Sequence, residues 1–295
     1  MDETVRDHRR RVGLRGRQTV FVQHADVPSM RSTDLAEHVR GRFAPSPTGD
    51  LHVGNLRTAV IAWLAARAAS GSFLVRMEDL DRRQSDPAVE QSQLADLVTI
   101  GLDWDGEVVR QSERFDLYHD AIDRLAGQGL VYECYCTRRE IRDEIAAASE
   151  APHGPPGAYP GVCRDLSDRD RRRRRDEGRP PALRLRSAGE VVAFTDRIHG
   201  RSSAVVDDVV LRRNDGVPAY NLAVVVDDAL QGVTDVLRGD DLLSSTPRQI
   251  ALQRLLGFPE PRYAHVPLVL DDEGRRLAKR KGMPVTLRDL DAVGV

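Results

Sequence analysis

Residues 42–54 read RFAPSPTGDLHVG, and this stretch decides the fold. The pattern predicts a strand over Val39–Ala44 that leads into a loop over Pro45–Gly49, which two prolines stiffen. An apolar segment rich in Ala, Leu and Ile then predicts a helix from Val53 to Ala69. A strand that passes through a short rigid loop into a helix is typical of nucleotide-binding α/β domains.

The start of this helix predicts a phosphate site. A helix N-terminus offers backbone N–H groups and the positive end of a dipole, and both attract phosphate. His52, in the first turn, can donate a hydrogen bond to phosphate oxygens. Gly54 has no Cβ and so lets a flat base lie against the backbone. By itself a histidine before a glycine is more often a simple turn residue, so His52 and Gly54 are candidate nucleotide-binding residues whose role depends on the resemblance of the whole stretch described below.

Strands and helices alternate through most of the remaining chain, which predicts a Rossmann-type, doubly wound parallel sheet of the α/β class. The expected helices are Pro87–Gly101, Phe115–Gly127 and Thr246–Leu256. Asp86 is the expected N-cap of the first helix, and Ser245 and Pro247 mark the start of the last one. The expected strands are Phe73–Met77, Leu222–Val226, Val233–Leu237 and Tyr263–Leu270.

The composition is that of an ordinary globular chain, since 40% of the 295 residues are hydrophobic and 31% are charged. The alternation of strands and helices, and its interruption, divides this chain into five segments. The segments are a poorly ordered N-terminal extension (1–40), the first half of the Rossmann-type domain (41–130), an insertion (131–200), the second half (201–270), and a loop with the C-terminus (271–295). The insertion contains an arginine run, 171–175, which we interpret as a solvated helix face because acidic residues surround it.

The net charge of −2 and the cysteine count limit the cellular locations and the kinds of partner that we expect for this protein. No apolar run approaches the roughly 20 residues that cross a bilayer, so we expect no membrane partner. Three cysteines form no disulfide framework, and the N-terminus lacks a secretory apolar core, which favours a cytoplasmic protein. We expect a monomer. Any nucleic acid would have to meet a local basic patch.

Four segments together carry a family resemblance. Residues 42–54, with VRMEDLD at 75–81, GVPAYNLAVVVDD at 216–228 and VLRGDDLLSSTPRQ at 236–249, resemble the class I aminoacyl-tRNA synthetases in their glutamate-specific form. The resemblance implies a ligase-type reaction in which glutamate is activated with ATP and Mg²⁺. No covalent enzyme intermediate is needed, because positioning and charge stabilisation do most of the work.

The resemblance also implies a glutamate pocket. The substrate's side-chain carboxylate requires a bidentate guanidinium, for which Arg42 is the candidate. Its ammonium requires an anion, and Glu78 ends a neighbouring strand at the same edge of the sheet. Ser46, Tyr220 and Arg238 match positions that line the amino-acid pocket in the family.

Lys279 and Lys281 are the only lysines among 44 basic residues. They lie in EGRRLAKRKG, residues 273–282, which resembles the second class I signature, a mobile KMSKS-like loop whose lysine stabilises the triphosphate. Arg276 and Ala278 depart from that signature, where lysine and serine are usual. Lys279 matches the position that contacts ATP and is the expected catalytic residue together with His52, while Lys281 is an auxiliary candidate.

All three cysteines lie in the insertion, at Cys134, Cys136 and Cys163. Three thiolates suit one structural, tetrahedral Zn²⁺ ion, which needs a fourth ligand. His153 offers a common zinc ligand. Tyr159 is favoured instead by the likeness of residues 159–163 to a tyrosine-ligated site of glutamyl-synthetase relatives.

The expected acceptor of the glutamyl group depends on whether the chain has room for an anticodon-binding domain. Val295 comes soon after the KMSKS-like loop, so we expect no anticodon-binding domain. The chain then resembles a truncated paralogue of the glutamyl-tRNA synthetases, which activates glutamate without tRNA and transfers it to queuosine in the anticodon loop of tRNA(Asp). A compact enzyme that charges the tRNA 3′ end and a non-catalytic RNA-binding relative are the alternatives.

Overall fold

A computed structural model describes residues 38–137, 139–141, 159–270 and 285–292. The predictions for residues 1–37 and for the KMSKS-like loop therefore lie outside the described residues. No helix in the described ranges is long and apolar enough to span a bilayer.

The first half of the fold agrees closely with the sequence prediction. Strands β1, β2 and β3 form a parallel sheet, with β2 in the middle. The helices begin and end within two residues of their predicted bounds. The elements are β1 (Arg40–Phe43), α1 (Val53–Ala68), β2 (Ser72–Met77), α2 (Pro87–Thr99), β3 (Val109–Arg110) and α3 (Phe115–Gly127).

Side-chain caps explain where α1 and α2 begin, and a glycine explains how the chain turns from α1 into β2. His52 caps α1 in a capping box with Asn55, and the Asp86 side chain accepts the Ala88 N–H at the start of α2. Helix α1 buries its alanine-rich face against the sheet. Gly71 is required where the chain turns into β2, because a Cβ there would lie 2.2 Å from the Val39 carbonyl oxygen.

The second half contains α5 (Tyr220–Leu230), β9 (Asp235–Gly239), α6 (Thr246–Leu256) and β10 (Arg262–Val266). Strands β9 and β10 pair in parallel, as predicted. The Thr234 N–H donates to the Arg40 carbonyl at 2.9 Å and joins this half to β1. Strand β10 ends four residues before the predicted Leu270 because Pro267 has no N–H to extend the ladder.

One predicted strand is wrong, since Leu222–Val226 lies inside helix α5. All five of these residues are at most 2% exposed, and Asp227 and Asp228 after them are buried too. A helix buried on every side shows no alternation of polar and apolar faces, so its run of valines resembles a buried strand. Tertiary packing of α5 against α3 and α6 overrides the strand propensity of valine.

Antiparallel strands dominate the insertion and continue beyond it to Arg212. One three-stranded sheet has the order β4–β5–β8, and β6 and β7 form a separate hairpin. The strands are β4 (Val131–Cys134), β5 (Ala182–Leu185), β6 (Val191–Asp196), β7 (Gly200–Val205) and β8 (Val210–Arg212).

The arginine run lies on α4 (Asp168–Asp176), a helix that buries none of its residues. Arg171 pairs with Asp168 and Arg173 with Asp170, each one turn apart on the helix surface. The predicted solvated helix face is confirmed. A final short helix, α7, spans Leu287–Ala292.

Candidate active site

A cleft of about 390 Å³ opens where β1, β2 and β9 end. Every predicted substrate-binding residue that the structure describes lines this cleft. Lys279 lies outside the described residues. The residues brought together are Arg42, Ser46, His52, Gly54, Glu78, Tyr220 and Arg238.

Helix α2 holds the proline loop in place against the cleft. Gln93, which is 1% exposed, donates from Nε2 to the carbonyl oxygens of Ser46 and Gly49 at 3.1 and 2.7 Å. The Glu78 N–H donates to the Pro45 carbonyl at 2.9 Å. The loop is therefore bonded on one side to α2 and on the other to the end of β2.

The N-terminus of α1 differs from the sequence expectation. Its first N–H groups already have partners, because His52 Nδ1 accepts from Gly54 and Asn55, and the Val285 carbonyl accepts from Val53. These three backbone N–H groups therefore already have acceptors within the protein. Since Nδ1 accepts, the proton of the neutral His52 ring sits on Nε2, which becomes the donor. A Cβ on Gly54 would lie 2.9 Å from His52 Cε1, so Gly54 also makes room for the imidazole.

A buried ionic network, which the sequence analysis missed, lies under the cleft. Arg76 on β2 is fully buried and donates from Nη1 to Asp228 Oδ1 at 2.8 Å. Arg42 Nε lies 3.3 Å from the same oxygen. Asp227 lies 3.7 Å from Arg76 Nε and accepts from Tyr118 and Gln111. The signal in the sequence was a strand arginine among apolar residues together with two consecutive aspartates after an apolar run.

This network sets the ionisation of the groups at the cleft. Burial raises the pKa of Glu78 to about 7, although Arg76 and Arg42 act to lower it and Asp228 adds to the rise. Burial would lower the pKa of Arg76, but the carboxylates of Asp228, Asp227 and Glu78 raise it overall. Arg76 is therefore a fixed positive charge, whereas Glu78 titrates near neutral pH.

Arg238 on β9 is 5% exposed, and its guanidinium is held on two of its three nitrogens. Nε donates to His265 Nε2 at 3.0 Å, and Nη2 donates to Thr246 Oγ1 at 2.9 Å. Nη1 is buried and has no hydrogen-bond partner among the described residues. Because a buried N–H without an acceptor is costly, Nη1 is suited to a ligand oxygen that enters the cleft.

The cysteine cluster is assembled as predicted. Cys134, Cys136 and Cys163 bring their sulfur atoms within 4.8 Å of one another. The Tyr159 hydroxyl lies 3.3 Å from Cys134 Sγ and 3.6 Å from Cys136 Sγ. Zn–S bonds of about 2.3 Å give a tetrahedron with edges of about 3.8 Å, so these four atoms fit a zinc ion. His153 lies outside the described residues.

We expect purified protein to contain about one equivalent of zinc that joins β4 to the segment around Cys163. With Tyr159 as the fourth ligand, Tyr159→Phe should weaken zinc binding at least tenfold, whereas His153→Ala should leave it unchanged. Metal analysis and competition with a chelator measure both effects. The opposite ranking would assign the ligand to His153, and less than half an equivalent in the unmodified protein would contradict the site.

Known proteins resemble this chain over most of its length. The family model for class I tRNA synthetases (E and Q), catalytic domain, matches residues 38–294. The glutamyl-Q tRNA(Asp) synthetase of Nocardia farcinica is 64% identical over 254 residues, which cover 86% of this chain and 79% of that protein. The protein of the same name from Symbiobacterium thermophilum is 50% identical over 268 residues, covering 86% and 81%.

The fold of this chain is also similar to that of a solved synthetase structure. The glutamate-tRNA synthetase from Elizabethkingia anophelis superposes with a TM-score of 0.72 at 31% identity and covers 88% of this chain. This chain spans only 54% of that longer chain.

Proposed function

Because the chain belongs to the class I tRNA synthetases of the glutamate and glutamine family, we propose that it activates L-glutamate with ATP in the absence of tRNA. It then transfers the glutamyl group to queuosine in the anticodon loop of tRNA(Asp). The family makes the chain a ligase-type enzyme. The observation that carries the proposal is the set of charged groups that line one cleft.

These charged groups match glutamate. Arg42 and Arg238 line the cleft together with Glu78, and glutamate carries two carboxylates and one ammonium. Arg42 pairs with the side-chain carboxylate, Arg238 adds a donor to the substrate's carboxylates, and Glu78 accepts from the ammonium. Ser46 and Tyr220 complete the pocket. Glutamine fits less well, because its amide would direct N–H groups at guanidinium donors.

The affinity for glutamate is expected to be about tenfold weaker at pH 6 than at pH 8. In the free protein Glu78 has its pKa raised to about 7, so at pH 6 most molecules must release a proton before they bind the ammonium. Calorimetry in buffers of different ionisation enthalpy would detect this release. Glu78→Gln should abolish the pH dependence. An affinity that stays level or falls as the pH rises would contradict the role of Glu78.

Activation begins when the α-carboxylate attacks the α-phosphorus of ATP. The new O–P bond forms as the bond to the β-phosphate breaks, which releases pyrophosphate and leaves glutamyl-adenylate. His52 donates to the phosphates through Nε2, and Gly54 lies beside the base. ATP carries Mg²⁺ on its phosphate oxygens. Lys279 compensates the charge that develops on the triphosphate.

The residues on both sides of the loop that contains Lys279 support this role. Val269 lines the cleft, and the Val285 carbonyl binds the Val53 N–H at the start of α1. Lys279→Ala should therefore lower adenylate formation about a hundredfold while leaving glutamate binding nearly intact. Lys281→Ala is the matched control and should have a much smaller effect. Equal losses in glutamate binding and adenylate formation would refute the assignment.

A second cavity supports a bulky acceptor. It measures about 750 Å³ and shares Ser46, Thr48, Glu78 and Tyr220 with the cleft. It extends to Cys136 and Arg184 of the insertion. An acceptor hydroxyl that enters here attacks the carbonyl carbon of the adenylate, and AMP leaves as the ester forms.

Labelled glutamate transfer distinguishes the two possible acceptors. Charging of the tRNA 3′ end is the competing function, because the superposable solved structure is named a glutamate-tRNA synthetase. Periodate oxidation of the terminal adenosine removes a 3′ acceptor. Because the diol of queuosine is also sensitive to periodate, tRNA(Asp) that lacks queuosine is the second substrate. We expect labelling only of queuosine-bearing tRNA(Asp), including modified molecules whose 3′ end has been trimmed. Labelling that depends on the 3′ adenosine and not on queuosine would overturn the proposal.

A further inference from the structure

A buried chain of three side chains connects the β6–β7 hairpin to the cleft. Asp196, at the end of β6, lies 2.6 Å from His265 Nδ1 on β10, and His265 Nε2 accepts from Arg238 Nε at 3.0 Å. Asp196 and His265 are at most 1% exposed. Neither residue lines the cleft, and the mechanism above gives neither of them a role.

The direction of these hydrogen bonds is fixed by chemistry. A guanidinium can only donate, so His265 Nε2 must present a lone pair to Arg238. The imidazole proton therefore sits on Nδ1, where the Asp196 carboxylate accepts it. Burial and the charge of Arg238 lower the pKa of His265, although Asp196 opposes the change, and the ring is neutral. A protonated ring would direct an N–H at a guanidinium N–H.

Asp196 is itself held rigidly. Its Oδ1 accepts the backbone N–H groups of Ile198 and His199, each at 2.9 Å, in the turn of the hairpin. Its Oδ2 accepts the His265 backbone N–H at 3.1 Å as well as the imidazole. Oδ1 also lies 3.3 Å from the His265 backbone nitrogen, so backbone donors of both segments hold the carboxylate and only Oδ2 bonds the imidazole. This arrangement sets the imidazole plane and with it the direction of Arg238.

We infer that Asp196 and His265 are positioning residues that hold Arg238 with Nη1 available to the substrate carboxylates, an inference that rests on the proposed function. Two nitrogens of the guanidinium are anchored, to His265 and Thr246, and the third is buried without a partner among the described residues. Preorganised donors cost no reordering when the substrate binds. Part of the specificity for glutamate therefore originates in a hairpin outside the cleft.

Asp196→Asn gives a sharp test because it keeps the size of the side chain. Its Oδ1 must still accept from the hairpin turn, so its NH₂ group faces His265 Nδ1 and shifts the imidazole proton to Nε2, against Arg238. We expect the glutamate KM in ATP–pyrophosphate exchange to rise at least tenfold, with the ATP KM within twofold. His199→Gln, an exposed side chain in the same turn, should leave both values unchanged.

Two His265 variants separate positioning from packing. His265→Gln can place an oxygen where Nε2 lies, whereas His265→Asn is too short, so only the Gln variant should recover most of the glutamate affinity. Thermal unfolding establishes that each variant is folded. A glutamate KM within twofold of the unmodified protein in both Asp196→Asn and His265→Asn would overturn the inference.

NMR of ¹⁵N-histidine-labelled protein tests the inference without activity and without any variant. The expected result is a protonated Nδ1 and a bare Nε2 for His265, and the reverse tautomer would overturn the positioning role. If the unmodified protein shows no glutamate-dependent exchange, the proposed function fails, and the tautomer still decides whether His265 orients Arg238.

Discussion

Replacing Arg42 by alanine is expected to raise the glutamate KM at least a hundredfold while the ATP KM stays within about twofold. Arg42 is 4% exposed and lines the cleft. Under the proposed function its loss would leave a desolvated substrate carboxylate without its partner. Removing one member of such a charge pair costs about 2–5 kcal/mol, and about 2.7 kcal/mol corresponds to a hundredfold. Steady-state exchange kinetics measure both constants.

The matched variant is Arg42→Lys, which retains the charge but not the planar fork. Its glutamate KM should lie between those of the alanine variant and the unmodified protein, because one ammonium cannot make two parallel hydrogen bonds to a carboxylate. Asp228 keeps Arg76 as a partner in both variants, so we expect both to fold. An unchanged glutamate KM in Arg42→Ala would rule out the assigned pairing.

Arg76→Met should destabilise the fold by about 3–5 kcal/mol at pH 7.5, since it removes the buried cation that Asp227 and Asp228 share and leaves only Arg114 and Arg42 to balance them. Burial would raise the pKa of Asp228, and Arg42 and Arg76 lower it, so the variant loses one of the two groups that keep Asp228 ionised. A buried carboxyl whose pKa is higher in the folded state than in the unfolded chain lowers the free energy of unfolding most at pH values above that pKa, where it must be buried in its ionised form. The difference in unfolding free energy should therefore shrink as the pH falls.

Arg254→Met is the control for this change. Arg254 pairs with Glu260 at 2.7 Å, but both side chains are more than 40% exposed. A surface pair contributes at most about 1 kcal/mol, so urea unfolding should separate the two variants clearly. Equal losses in the two variants would mean that the Arg76 network contributes no more than a surface ion pair.

The residues that line the cleft were predictable because several of them sit at strand ends that the sequence marks. Arg42 ends β1 and Glu78 follows β2, and parallel strands present their carboxyl ends at one edge. The helices α3 and α6 were predicted residue for residue because an apolar period, a proline in the first turn or a glycine at the end marks their bounds. The cysteine cluster followed from the chemistry of three thiols in one segment.

The features that sequence reasoning missed depend on contacts between distant segments. The sequence of Leu222–Val226 predicts a strand and not part of helix α5, because burial on all sides erases the helical period. The bonds from Arg76 to Asp228 and from Asp196 to His265 join residues whose sequence positions give no hint of a contact. Likewise, the N–H of Val53 is bound by Val285, a residue from the far end of the chain.

Glutamate-dependent ATP–pyrophosphate exchange, measured with and without tRNA, tests the central claim most directly. The proposed function predicts rapid exchange with glutamate and ATP alone, no exchange with glutamine, and no requirement for tRNA. Exchange that appears only when tRNA is added would contradict tRNA-independent activation. The absence of exchange under both conditions would contradict the assignment as a glutamate-activating enzyme.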